Sequence, residues 1–399
     1  MSSAPSPLVV CSKSAWHPPV RREHAWATIA AELGHPVVFL AAPLDARELQ
    51  HGRARTWFEG LGGGQEETIS SMLVVKQRST FVPGHRNALA ARVDSQLLRR
   101  ALVRSTSVLA TASVVCHWPW DWPAVAAAPA RRRIFDMTDD WGELMPGRRA
   151  RFARLYRRIA AEADEVIVVN PDLAERFPGR EPLVIRNGVT QRMLDAPSEA
   201  VSARTLIYTG TLTPRFDAPL LQRVLEILPD WRLELVGECR YPGLGGAPSS
   251  ELRRLLDLAP RVAWHGPLAR EQLTASLDRA AVAIVPNRRE HSLGQDSMKL
   301  YDYAARGRPI VSTRWCDTLI SDGPPHLALA ESAEDFAAAI LAAAIEPTTF
   351  AAQRRRWAAE RTWIARWPAW STAVFAMASQ KPNDHDVHFP AGRRRADLT

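Results

Sequence analysis

Short apolar, β-branched runs alternate along the chain with longer segments whose apolar residues recur three and four apart. This is the pattern of parallel strands joined by crossover helices. In the first half, the runs Pro7–Cys11, Pro36–Ala41, Ser71–Lys76, Ser113–Cys116, Arg133–Asp136, Glu165–Val169 and Pro182–Ile185 predict strands. Helical periodicity falls at Arg21–Leu33, Asn87–Arg104 and Gly147–Ala163. A second series predicts strands at Thr205–Tyr208, Arg232–Val236, Val262–Trp264, Val282–Val285 and Pro309–Ser312. Its helices fit Ala218–Leu228, Ser249–Leu258, Arg270–Ala280, Ser297–Arg306 and Ala333–Ala344. Each strand of this series is followed by a helix, which requires right-handed crossovers and a parallel sheet.

Between the two series, Asn187–Arg204 is polar and lacks an apolar period, so it reads as the linker. The expected fold class is α/β, with two Rossmann-like parallel-sheet domains. The expected boundaries are 1–190, a linker at 191–204, a second domain at 205–349, a terminal helix at 350–378 and a disordered tail at 379–399. The segment Phe350–Ala378 carries Trp357, Trp363, Trp367 and Trp370 at spacings that put several indoles on one face. It is expected to pack on a large surface, crossing back to the N-terminal domain, with a kink at Pro368. The glycine-rich stretch Gly60–Gln65 has no preceding strand and reads as a surface loop.

Composition narrows the picture. With 399 residues, 46% hydrophobic and 24% charged, the chain is an ordinary globular one with room for two cores. No stretch reaches the ~18 apolar residues of a membrane span, and the first ten residues do not resemble a signal peptide, so a cytoplasmic location is expected. Cys11, Cys116, Cys239 and Cys316 are far apart, which reads as buried, reduced thiols and no zinc site. Residues 1–190 hold 25 Lys/Arg and 19 Asp/Glu, hence +6 of the total +8. A basic half can face an anionic membrane or a phosphorylated substrate. No nucleic-acid-binding motif accompanies it.

The chemistry concentrates at predicted strand ends. The stretch Asp296–Val311 reads as a loop feeding a helix, then a Gly-Pro turn into a strand. A helix N-terminus at Ser297 and Met298 offers unpaired N–H groups to a diphosphate. Lys299 adds charge there, and Asp302 can accept from a ribose diol. Other loops converge on the same sheet edge. They are Gly210-Thr211 through Arg215, Gly237, His265-Gly266, and Pro286–His291 with Glu290. Arg215 can clamp a phosphate bidentately.

With these stretches the C-terminal half resembles the donor domain of the group 1 glycosyltransferases of GT-B architecture. The Thr209–Asp217 and Ser297–Val311 stretches are most similar to bacterial exopolysaccharide and teichuronic-acid-type enzymes. The resemblance covers residues 205–315 well and the N-terminal half loosely. It implies two domains facing a cleft, with Lys299 and Asp302 binding the donor diphosphate and ribose of a nucleotide-sugar, a UDP-sugar by default. Many members place two glutamates around this loop, but here Gly294 and Asp302 stand at those positions. The contact to the transferred sugar and the stereochemical course therefore stay open.

The N-terminal half supplies the acceptor side in this architecture. Asp139 and Asp140 follow a predicted strand, and Asp139 is the candidate general base if burial raises its pKa. Either is also a candidate helix N-cap. His117 lies in Cys116–Pro123 with Trp118, Trp120 and Trp122, a carbohydrate or lipid contact or else a structural cluster. His17 is a further candidate. Six arginines between Arg148 and Arg158 fit an anionic membrane surface or a solvated face. The expected activity is metal-independent hexosyl transfer to a glycan, lipid-linked or small-molecule hydroxyl, with no cofactor beyond the nucleotide-sugar substrate. The alternatives are a non-catalytic nucleotide-sugar-binding subunit and an epimerase of the same architecture.

Overall fold

The computed structural model describes residues 5–16, 20–46, 54–61, 66–83, 86–105, 109–196 and 201–376. The candidate His17, most of the glycine-rich loop and the 379–399 tail lie outside them. In the N-terminal domain the strands are β1 (Leu8–Cys11), β2 (Val37–Leu40), β3 (Glu66–Ser70), β4 (Leu73–Lys76), β5 (Ser113–Cys116), β6 (Arg132–Met137), β7 (Glu165–Val168) and β8 (Leu183–Val184). Its helices are α1 (Arg22–Glu32), α2 (Ala54–Leu61), α3 (Ala88–Ser105), α4 (Trp122–Ala126), α5 (Trp141–Leu144) and α6 (Arg149–Glu162). Across the sheet the order is β3-β4-β2-β1-β5-β6-β7-β8, parallel except for the edge strand β3. Runs such as Leu-Val-Val-Cys in β1 are buried throughout because helices cover both sheet faces. Val9 and Cys11 enter one core layer with α3, α4 and α6, while Leu8 and Val10 enter the other with α1.

A short helix, α7 (Gln191–Asp195), leads into the second domain. Its strands are β9 (Thr205–Thr209), β10 (Arg232–Val236), β11 (Val262–Trp264), β12 (Val282–Val285), β13 (Ile310–Thr313) and β14 (Leu327–Ala330). The helices are α8 (Ala218–Ile227), α9 (Ser250–Leu256), α10 (Arg270–Arg279), α11 (Met298–Ala305), α12 (Thr318–Asp322), α13 (Ala333–Ala344), α14 (Thr349–Ala359) and α15 (Trp363–Phe375). The order β11-β10-β9-β12-β13-β14 is parallel throughout. The residues read as a bare linker contain α7, and Val189 and Met193 sink into the second domain's core beside Leu277 and Tyr301.

The terminal segment is two helices, not one kinked helix. The break falls at residues 360–362, where Thr362 caps α15 by accepting from Ala365 N–H and the Val189 backbone pairs with Thr362. Pro368 lies within α15. The break lets the chain change domains. Trp357 of α14 packs on Tyr301 of the second domain, whereas Trp363 and Trp370 of α15 pack on Trp26 of α1, at 5.0 and 4.9 Å between rings. The Trp370 indole also donates to Asp136, which Arg22 binds through Nε at 2.9 Å. Both members of that ion pair are almost fully buried, so α15 is anchored on a charge that has no access to water.

Candidate functional site

Both sheets present the carboxyl ends of their strands to one cleft, where ligands of open α/β sheets bind. On the second domain, β9, β10 and β11 end in Gly210, Gly237 and Gly266. Gly237 has φ of 138°, and a Cβ there would lie 2.2 Å from the carbonyl oxygen of Gly210. Any side chain at 237 would therefore push these two strand ends apart. Ser297 occupies the N-cap position of α11, and the helix begins at Met298, whose side chain packs on the N-terminal core. The first N–H groups of a helix have no acceptor within it and are open to a ligand.

Lys299 leaves the first turn of α11 and lies across Gly210. Its Nζ donates to Tyr208 Oη at 3.1 Å and sits 4.4 Å from that ring's centre. Burial, with a contribution from Arg215, pushes the ammonium down to about 7. One turn on, burial raises the Asp302 carboxyl to about 7, offset in part by Arg270. Asp302 makes no ion pair among the described residues. An ammonium and a carboxyl, both held near neutrality by lost water, suit a ligand that carries negative charge and donates hydroxyls.

Arg215 crosses the cleft. Its Nε donates to the carbonyl of His291, and one terminal nitrogen lies 3.2 Å from Asp139. Asp139 also pairs with Lys13 at 3.1 Å and accepts from Thr138, while Lys13 in turn bonds Thr138. Two cations thus hold the Asp139 carboxyl below its usual range despite burial. The raised pKa expected of a general base is not found. Asp140 is the N-cap of α5, accepting from Gly142 and Glu143 N–H, and it pairs with Arg176 at 2.7 Å. That is a structural role.

His117 is fully buried at the end of β5. Its Nδ1 lies 3.1 Å from the carbonyl of Asp136, which fixes the proton on Nδ1 and leaves Nε2 as an acceptor. Burial lowers its pKa, so the ring is neutral, and Nε2 has no protein partner. Glu23, in the first turn of α1, is likewise buried, with one oxygen unpartnered and its pKa held down, against desolvation, chiefly by Lys13. Trp120 and Trp122 belong to the core, so the structural reading holds for them. Trp118 is half-buried edge-on to Trp141, over which Lys13 lies.

The remaining candidates divide. Thr211 follows Gly210 in the loop after β9. His265 stands half-exposed on the rim, 3.9 Å from Glu234. Glu290 is exposed on a single turn, Arg289–His291, near α5. Gly294 has φ of 70°, and a Cβ there would meet Leu173 of the other domain at 2.5 Å. A side chain at 294 would require Leu173 to move and would hold a positive φ. Lys13 and Glu23 escaped the sequence reading. Lys13 follows β1 directly, a position that faces the cleft in any such sheet, and this was the available signal. The arginines of α6 are partly neutralised, Arg149 by Glu143 and Arg158 by Glu162, while Arg151 covers Trp120.

Residues 203–345 match the family model of the group 1 glycosyl transferases. No curated protein matches the chain by sequence. Among solved structures, a sucrose-phosphate synthase from Thermosynechococcus elongatus superposes with a TM-score of 0.68 at 16% identity, covering 92% of this chain and 98% of its own. The Anabaena protein HepE, solved with UDP and glucose, gives 0.66 at 12% identity, covering 93% and 99%. An E. coli trehalose-6-phosphate protein bound with UDP-2-fluoro glucose gives 0.65 at 11% identity, with the same coverage. Residues 203–345 thus match the group 1 glycosyl transferase domain, and the chain as a whole shares the two-sheet GT-B fold of these structures.

Proposed function

We propose that the chain transfers a hexose from a UDP-sugar to a hydroxyl of a glycan or lipid-linked acceptor. The observation that carries this reading is the placement of Lys299. It lies over Gly210 and Tyr208 in the first turn of α11, close enough to Arg215 to feel its charge, and Arg215 in turn pairs across the cleft with Asp139, which Lys13 also binds. The donor diphosphate lies on the first N–H groups of α11, between Lys299 and Arg215, and Asp302 accepts from the ribose. Negative charge grows on the leaving diphosphate as the glycosidic bond breaks. Fixed cations there lower the barrier more than they tighten ground-state binding. These protein groups can carry that charge without a metal ion.

The sugar lies between α11 and β5, where Nε2 of His117 accepts from a sugar hydroxyl. Asp139 orients Lys13 and Arg215 instead of removing a proton. UDP is favoured as the nucleotide because two of the similar structures hold UDP or a UDP-sugar.

A thermal-shift panel of UDP, GDP, ADP and dTDP on wild type and Lys299→Ala tests the donor site. A ligand at ~100 times its dissociation constant adds roughly 2.7 kcal/mol. Stabilisation by UDP that Lys299→Ala largely abolishes supports the reading, and no shift with any nucleotide at millimolar concentration overturns it. The second reading, a non-catalytic binding subunit, is favoured by the glycine at 294 where many relatives have an acidic residue. It predicts the same shift with no turnover of the bound nucleotide-sugar, and an epimerase predicts sugar isomerisation without release of UDP.

A further inference from the structure

We infer that the outward face of α3, with the exposed aromatic residues beside it, docks this chain on an anionic phospholipid membrane. The helix packs Ala90, Leu98, Ala101 and Leu102 into the N-terminal core. Its opposite face is set by helical spacing: Leu89, Arg92, Gln96, Arg99, Arg100 and Val103. No acidic residue stands on that face, and the helix's one acid, Asp94, lies toward the buried flank. Leu89 and Val103 are 72% and 64% exposed, unusually open for apolar side chains at the two ends of a cationic face.

The apolar surface extends beyond the helix. Phe81 and Val82, in the loop that leads to α3, are exposed, and so is Phe58 of α2. Both phenylalanine rings pack edge-on to the buried Trp57, at 5.1 and 5.2 Å, so they are held outward on a fixed support. The end of α2 lies beside α3, with Gly60 and Leu61 sharing one small cavity with Leu97, Arg100 and Ala101. Arg86 adds a further exposed cation between Phe81 and Leu89.

Charge complementarity and apolar exposure together select the occupant. A row of arginines with no ion pair among the described residues attracts anionic headgroups, and the flanking Leu, Val and Phe side chains are the part that enters the acyl boundary. A nucleic acid would satisfy the arginines but leave the aliphatic side chains in water. The α6 arginine run is the weaker surface, because two of its arginines are already paired with glutamates and a third lies over Trp120. The position suits the cleft as well. Phe81 lies past the carboxyl end of β4, on the sheet edge that carries Lys13 and His117. Strand β4 is two places from β1, roughly 10 Å away at ordinary strand spacing.

The test is flotation of the full chain with vesicles of phosphatidylcholine alone and with 30% phosphatidylglycerol. Wild type should float only with the anionic vesicles. Arg99→Gln with Arg100→Gln should weaken the partition on the order of 30-fold. Leu89→Ser with Val103→Ser should weaken it at constant charge. Arg154→Gln with Arg157→Gln on α6 should leave it intact. Failure of wild type to float, indifference to the α3 substitutions, or selective loss with the α6 pair overturns the assignment. Competition by soluble polyanion with no effect of the Leu89/Val103 pair would indicate a nucleic acid or acidic protein instead. All these residues are at the surface, and a thermal melt verifies that each variant is folded. Vesicle binding needs no transfer activity, so its failure would leave the proposed donor site standing.

Discussion

Donor binding should be linked to protons in opposite senses at Lys299 and Asp302. Both groups titrate at about 7 in the unliganded chain. A diphosphate beside Lys299 favours the ammonium and raises its pKa, so binding takes up a proton. Ribose hydroxyls donating to Asp302 favour the carboxylate and lower its pKa, so binding releases one. At pH 7 each group is about half protonated, so uptake of about 0.5 and release of about 0.5 cancel. At pH 6 release dominates, by about 0.8 proton, and at pH 8 uptake dominates by the same amount. Affinity should therefore peak near pH 7 and weaken about threefold at pH 6 and at pH 8. Calorimetry of UDP-glucose binding in buffers of different ionisation enthalpy measures the proton count, since the diphosphate of an intact nucleotide-sugar does not itself titrate there. Lys299→Met should unmask release of about 0.5 proton at pH 7, and Asp302→Asn uptake of about 0.5. If the two variants shift the proton count in the same direction, the assigned ligand contacts are wrong.

Four further outcomes follow from the geometry. Asp139→Asn should lower kcat on the order of tenfold without moving the pH profile, because Asp139 holds Lys13 and Arg215; a loss of ~10³-fold or more would restore it as the base. Arg22→Met should destabilise the chain by about 3–5 kcal/mol in urea unfolding, since it leaves Asp136 buried without its cation; a change below ~1 kcal/mol would contradict the anchoring role. Gly294→Ala should cost roughly 1–3 kcal/mol, and Leu173→Ala in the same chain should recover the steric part while the positive φ keeps the rest. His117→Phe should raise KM for the donor or acceptor and lower kcat while leaving the UDP thermal shift unchanged, which would place His117 at the sugar and not at the nucleotide.

The sequence made the sheet strands legible because parallel strands buried on both faces are dense apolar runs. Ser113–Cys116, Arg232–Val236, Val262–Trp264 and Val282–Val285 coincide with β5, β10, β11 and β12. Strand β3, reading Glu-Glu-Thr-Ile-Ser, is an exposed antiparallel edge with no apolar signal. Strand β14 was hidden by its Leu-Ala-Leu-Ala composition, which suits a helix equally well. The second domain's side of the cleft was readable because glycines and a helix start sit at fixed places relative to strands. The N-terminal side was not, because Lys13, Glu23 and Arg22 act through contacts more than a hundred residues away along the chain or through lost solvent. The cation pair on Asp139 is likewise a long-range fact, whereas the N-cap of Asp140 is local and was among the sequence's own candidates. Two adjacent aspartates look alike in sequence and acquire separate roles only from Arg176 on one and Lys13 with Arg215 on the other.

The central claim is that the donor diphosphate lies at the start of α11. A crystal structure of the chain with UDP tests it most directly. The account predicts diphosphate oxygens within hydrogen-bond distance of Lys299 Nζ and the first N–H groups of α11, with the ribose on Asp302. It is contradicted if UDP occupies another surface, or if Lys299 stays on Tyr208 with no phosphate beside it.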